Sequence, residues 1–266
     1  MSDKTQPQGG KNKADGMPTI ELPMPAYEPI TLPSLGRLYT PPIEEGIIHI
    51  RPMTLREEEV LTTPSLIKSG EAIDEIFRRC IREKINVDDL LAADKTAILL
   101  FLRAASYGRE YEIKVDCTEC EAEVEHLMDL EADLQVKYIE DNFAEPIVVE
   151  LPKAGTTAYV RLPRSRDDKI LSKRKAKRGK VDTTLSQRLS LLVERIEGVD
   201  EALKSMFLEQ LTAYDASLLK EAVSEDYFGI ETTLQLTCDT CGEDFEAEFP
   251  INENFFRVYK ATKKSR

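Results

Sequence analysis

The stretch Tyr111-Glu112-Ile113-Lys114-Val115-Asp116-Cys117-Thr118-Glu119-Cys120 has a counterpart further on, Thr232-Thr233-Leu234-Gln235-Leu236-Thr237-Cys238-Asp239-Thr240-Cys241. In both, apolar residues alternate with polar ones up to a CxxC pair: Ile113 and Val115 in one, Leu234 and Leu236 in the other. Alternation marks a half-buried strand. The CxxC falls where the alternation breaks, and Val124 and its neighbours read as the return strand of the first hairpin. A CxxC turn at a hairpin tip presents two sulfurs on one side of a tight loop, and a structural zinc takes four ligands in a tetrahedron. Neither pair precedes a helical pattern, so neither has the helix N-terminus that activates a redox CxxC. The reading is one structural zinc per chain, held by Cys117, Cys120, Cys238 and Cys241.

Outward from the cysteines, the same offset (238 − 117) relates Asp94 to Asp215 and Gly108 to Gly229. It also relates the stripe Ala97, Ile98, Phe101, Leu102 to Leu218, Leu219, Ala222, Val223. Upstream, Arg51, Arg56 and Leu61 match Arg161, Arg166 and Leu171 at 161 − 51, with Glu57-Glu58 against Asp167-Asp168. Between these blocks, Ile73, Ile76, Phe77 and Cys80 overlay Leu189, Leu192, Val193 and Ile196 at 189 − 73. A cap, a stripe, a stop glycine, two strand positions and both cysteines at one offset point to duplication. Each copy reads as strand, helix, helix and a β-hairpin knuckle. The strand is Gly46–Arg51. The first helix starts near Ser69 and runs to Ile85. The second is N-capped by Asp94 and stopped by Gly108. The fold class expected is α+β: two diverged repeats joined through a zinc-ribbon-like centre. The boundaries expected are a disordered N-terminal tail at 1–27, a first repeat at 28–142, a second at 143–256, and a basic C-terminal tail at 257–266.

The net charge of −13 disfavours nucleic acid and acidic membranes as partners. No run approaches the roughly 18 apolar residues of a membrane helix, and no secretion signal is visible, so a soluble protein is expected. The two histidines, His49 and His126, find no nucleophile or acid–base constellation, and no enzymatic activity is expected. His126 follows Cys120 closely, but its counterpart is Ala247, so it reads as a strand residue. Cys80 sits on an apolar helix face as a small hydrophobe. The basic run Ser172–Lys180 reads as a surface loop in which Lys173, Arg174, Lys175, Lys177 and Arg178 could dock an acidic partner. The turn-rich segment Leu32–Pro42 has little capacity to pair internally. Its Leu32, Pro33, Ser34, Gly36 and Tyr39 are therefore expected to lie against another chain.

That segment also carries a resemblance. Leu32-Pro33-Ser34-Leu35-Gly36-Arg37-Leu38-Tyr39 precedes a strand ending Ile50-Arg51-Pro52-Met53-Thr54 and an acidic start, Glu57-Glu58-Glu59-Val60-Leu61. This order resembles the opening of the baseplate hub assembly proteins of contractile-tailed bacteriophages, over about residues 28 to 125. The paired zinc knuckles also resemble members of that group. The resemblance implies a structural or assembly component of the tail baseplate hub. The protein would bind other phage tail and baseplate proteins in the host cytoplasm during assembly, and the resemblance leaves open whether it stays in the virion tail baseplate. The alternative is a zinc-ribbon nucleic-acid-binding or translation/transcription accessory protein. The ribbon and the basic run favour that alternative, and the net charge opposes it.

Overall fold

The computed structural model describes residues 25–175, 184–223, 227–251 and 255–256. Most of the expected N-terminal tail and all of 257–266 lie outside these. The described chain opens with β1 (Glu28–Thr31), antiparallel to β2 (Ile47–Ile50), with Glu28 opposite Ile50. Three short helices follow: α1 (Leu55–Leu61), α2 (Pro64–Ser69) and α3 (Ala72–Cys80). Proline at the start of α2 and Gly70 at φ +73 past its end delimit that helix. The long helix α4 (Ala92–Tyr107) stops at Gly108, φ +95. The first cysteine hairpin is β3 (Glu110–Asp116) with β4 (Glu123–Asp129), followed by the short β5 (Val136–Lys137).

The second half begins with β6 (Ile147–Leu151) and β7 (Thr156–Val160), then α5 (Ser165–Lys175) and α6 (Thr184–Leu192). Strand β8 (Val193–Ile196) pairs with β7, giving the order β6-β7-β8. Helices α7 (Lys204–Glu209) and α8 (Ala213–Ala222) lead to β9 (Gly229–Ile230), which pairs with β5. The second cysteine hairpin is β10 (Thr233–Thr237) with β11 (Asp244–Glu248). Small antiparallel sheets among helices make the fold α+β, as expected.

Local contacts recur between the halves. Arg51 makes a two-pronged ion pair with Glu57, at 3.2 and 3.1 Å, and bonds the carbonyl of Pro52. Arg161 does the same with Asp167, at 2.7 and 2.8 Å, and with the carbonyl of Leu162. Arg51 N donates to Cys80 O, and Arg161 N donates to Leu192 O. Cys80 and Leu192 thus make the same backbone contact, whereas the expected stripe set Cys80 against Ile196. Val193 and Ile196 belong to β8 and not to a helical face. The segment leaves the helix at Val193 and completes the sheet beside β7. The first half likewise ends α3 at Cys80 and not at Ile85, since Ile81 leaves the helix to bridge Ile50.

Two further expectations are corrected. The N-cap of α4 is Leu91, and Asp94 is its third residue, fully buried. Its carboxylate accepts from Ser34 N (3.0 Å), Ser34 Oγ (2.5 Å) and Tyr39 Oη (2.6 Å). Leu32, Pro33, Ser34 and Gly36 are therefore buried within the chain, and Tyr39 is half-buried beside them. The turn-rich segment does satisfy itself internally. It is anchored on α4, and Gly36 and Gly46 (both φ +67) let the two arms of its loop touch. A Cβ on Gly46 would stand 2.5 Å from the Leu35 backbone. In the second half, Asp215 plays the matching part, accepting from Lys153 N and Ala154 N in the β6–β7 turn.

The largest core runs from β1, β2 and α3 through α4 to the β3–β4 hairpin. It also takes in Leu236, Phe245, Phe249, Phe255 and Phe256 from the far end of the chain. A second core, with Val149, Leu151, Val160, Leu192, Val193 and Leu219, lies among β6–β8, α6 and α8. A small third cluster, Leu91, Ala93, Ile139, Leu162 and Phe228, lies between them. Beside it, Ala92 N donates to Pro163 O and Ser165 N to Leu90 O.

Candidate metal centre

The two CxxC turns have the same backbone geometry. Cys117 N donates to Ala122 O at 2.9 Å, and Glu121 N to Cys117 O at 2.9 Å. Cys238 N donates to Glu243 O at 2.9 Å, and Gly242 N to Cys238 O at 2.8 Å. The fifth residue of each turn is left-handed, Glu121 at φ 58 and Gly242 at φ 78. This conformation reverses the chain within one CxxC and brings both sulfurs to the same side. The strands close the turns in the same register, Asp116 opposite Glu123 and Thr237 opposite Asp244.

The turns face one another. All four Sγ atoms lie within 4.8 Å of each other, and among the described residues they form the one such cluster. Two contacts cross between knuckles: Cys117 to Cys241 at 3.9 Å and Cys120 to Cys238 at 3.6 Å. A disulfide would need about 2.05 Å. Four sulfurs about 2.3 Å from a tetrahedral metal lie about 3.8 Å apart. The spacing therefore fits a metal-binding tetrahedron and not a pair of disulfides. Cys117 and Cys238 are buried, while Cys120 and Cys241 reach the surface. Backbone N–H groups of Cys241 and Thr240 aim at the Cys238 sulfur and hold that thiol down at about 6. Cys120 receives an N–H from Ala122, but desolvation and the other three sulfurs outweigh it and push it up to about 12. Four thiolates this close repel one another unless a cation sits among them, so metal binding here releases protons.

The other candidates fall outside the cluster. His126 is exposed on β4 opposite Ile113. His49 Nδ1 is 2.7 Å from Glu83. Cys80 is fully buried, and burial pushes its thiol up to about 11. Of the basic run, Lys173, Arg174 and Lys175 continue α5 as helix and not as loop. Lys177 and Arg178 lie outside the described residues.

One ionic contact was not anticipated. Lys169 of α5 pairs with Asp74 at 2.5 Å and with Asp88, and Arg166 pairs with Asp89. Asp74 is fully buried and has no hydrogen bond; Lys169 and Lys95 are its cationic neighbours. In the sequence, the only trace of this contact is the spacing of Arg166 and Lys169 on one helix face.

The family model described as T4 bacteriophage base plate protein matches residues 24–257. No curated protein and no solved structure matches the chain. No described helix is long and apolar enough to cross a membrane.

Proposed function

The chain belongs to the T4 bacteriophage base plate protein family, and we propose that within it the protein is a hub or hub-assembly component. It acts through protein–protein contacts and not through catalysis. It is stabilised by one structural zinc on Cys117, Cys120, Cys238 and Cys241, and it is built from two diverged repeats that each lend one knuckle. The observation that carries this reading is the thiol tetrahedron itself. Each hairpin supplies two of its four sulfurs, so neither hairpin alone can complete the coordination shell. Thiolate-only donors suit zinc. The corresponding ion pairs Arg51–Glu57 and Arg161–Asp167 support the repeat, as do the matching carboxylates Asp94 and Asp215. The partners proposed are other tail and baseplate proteins met in the host cytoplasm during assembly. The basic run from Lys173 to Arg178 is the contact most suited to an acidic neighbour.

A structural zinc contributes of order 10 kcal/mol to the folded form of small domains, so it clamps the two hairpins together. Elemental analysis should find one zinc per chain. Cys117→Ser and Cys238→Ser should each remove most of it, and the double variant should be little worse than either single one. His126→Ala should retain it. Two zincs per chain, or full occupancy in Cys238→Ser, would rule the shared site out. Co-expression with baseplate proteins tests the assembly role: replacing Lys173–Arg178 by serine should weaken the complex while leaving the melting temperature in place. A complex unchanged by those replacements removes the basic run from the interface.

A further inference from the structure

One junction ties the two halves of the chain together through their backbones. Leu91, just before α4, bridges Arg164, just before α5, in antiparallel fashion. Ala92 N donates to Pro163 O at 3.1 Å, and Ser165 N to Leu90 O at 2.8 Å. The first N–H of each helix is thus taken by the chain that leads into the other helix. A helix start leaves such groups open, and here each satisfies the other. Leu90, Leu91, Ala93, Leu162, Pro163 and Ser165 are all buried at this junction.

Both sides of the junction recur elsewhere in the chain. Helix α8 starts as α4 does: Ala213 is its first residue and the buried Asp215 its third, like Ala92 and Asp94. Helix α1 starts as α5 does: Leu55 is first and Glu57, paired with Arg51, is third, like Ser165 and Asp167, paired with Arg161. In this register Leu211–Ala213 stands for Leu90–Ala92, and Met53–Leu55 stands for Pro163–Ser165. The two segments make no bridge with each other, and among the described residues the Leu55 and Ala213 N–H groups have no hydrogen-bond partner. Their side chains are open as well. Leu55 is 71% exposed where Ser165 is 1%, and Tyr214 is 55% exposed where Ala93 is 7%. Thr212 and Ala213 are exposed beside it.

We propose that this open junction is completed by a second copy of the chain: the start of α1 in one copy bridges the start of α8 in the other, as the start of α5 bridges that of α4 within a copy. The proposal rests on the two-repeat reading above and extends it from the inside of the chain to its surface. The occupant is a second copy because each open segment has its complement in this same chain. Such a contact is heterologous, with each copy giving one half and taking the other. Leu55 in place of Ser165, and Tyr214 in place of Ala93, make it more apolar than the internal junction. Its ionic part is weaker. Arg166 meets Asp89 inside the chain, whereas the matching pair is Arg56 and Gln210. Lys169 meets Asp88, whereas the matching residues are both acidic, Glu59 and Glu209. The contact between copies is therefore looser than the one within a copy, and it forms at high protein concentration.

The test uses the full, metal-loaded chain. With a benzoylphenylalanine photo-crosslinker at position 55, irradiation of mixed light and heavy-isotope copies should join residue 55 to the peptide 211–214 of another copy. Tyr214→Asp should abolish that crosslink, and Tyr214→Phe should keep it. In sedimentation, the unaltered chain should form oligomers that grow with concentration, while Leu55→Asp and Tyr214→Asp should each stay monomeric. Both positions are exposed in the first turn of a helix, where a carboxylate is favourable, so both variants should keep their melting temperature. Mixing the two variants leaves one intact junction and should yield complexes of two copies and no more, a rescue that a damaged fold would not give. A chain that stays monomeric at every concentration, a mixture that does not associate, or crosslinks that fall within one copy, at another segment or only on another protein, overturns the proposal. Loss of zinc in both Cys117→Ser and Cys238→Ser would in that case leave the two-repeat reading standing.

Discussion

Arg51 and Glu57 show what a single side chain is asked to do here. Both are nearly out of solvent, and Glu57 is 2% exposed. Burial alone would raise the Glu57 carboxyl. The bonds it accepts from Arg51 and Thr54 overcome that and hold it at about 2. In the unfolded chain a glutamate titrates at about 4.3. Over the interval between these values the folded form binds fewer protons, so stability rises with pH across it. The contribution is complete above the unfolded value and lost as the pH falls toward 2. Arg51→Met should cost about 3 kcal/mol at pH 7, because it strands a buried carboxylate. It should also flatten the acid limb of a urea-midpoint-against-pH curve, and an unchanged limb would mean Glu57 titrates as if exposed. Arg161→Met should behave alike, since the Asp167 carboxyl, raised by burial, is also drawn down by its arginine.

At the scale of the element, the two knuckles differ at one position that the backbone makes demanding. Glu121 occupies the left-handed site that Gly242 fills in the other turn. A left-handed conformation costs a non-glycine residue about 1 kcal/mol. Glu121→Gly should therefore raise thermal stability by up to about 1 kcal/mol, and Gly242→Ala should lower it by a similar amount. Calorimetry on the metal-loaded protein separates these outcomes. The hairpins were legible in the sequence because alternation and CxxC are local signals. Strand β8 was not: the run from Leu189 to Ile196 is apolar enough to satisfy a helical period, and only the pairing with β7 decides otherwise. The role of Asp94 was hidden for a similar reason. Its position near a helix start was visible, but its partner Ser34 is brought to it by the fold and not by the chain. For the same reason the Leu32–Tyr39 segment was expected to face outward, when its polar groups are met by α4.

At the scale of the molecule, the halves meet through the sulfur cluster, the β5–β9 pair and the α5 ion pairs. Lys169 reaches from α5 to Asp74, which is fully buried beneath it. Lys169→Met should cost about 3 kcal/mol or more, because it leaves Asp74 with only the longer contact to Lys95. Adding Asp74→Leu should recover part of the loss, since a buried pair replaced by apolar residues of similar volume is often neutral. A double-mutant cycle in urea measures the coupling. Strict additivity would show that Lys169 is held by Asp88 alone.

The packing of Phe249 and Phe255 against Tyr111, and the bond from Arg103 to the carbonyl of Phe255, join residues far apart in the chain, 152 positions for Arg103 and Phe255. Their consequence lies in the order of synthesis. A ribosome delivers α4 and the first cysteine hairpin long before it delivers the residues that finish their core. That core stays open until the last residues of the described chain have left the exit tunnel. The late contacts also close over a long loop, which slows their formation. A chain released early, short of Phe249, would present bare aromatic surface and an unpaired CxxC to the quality-control machinery of the cell. Phe249 and Phe255 thus close that core late, after every other element of the described chain.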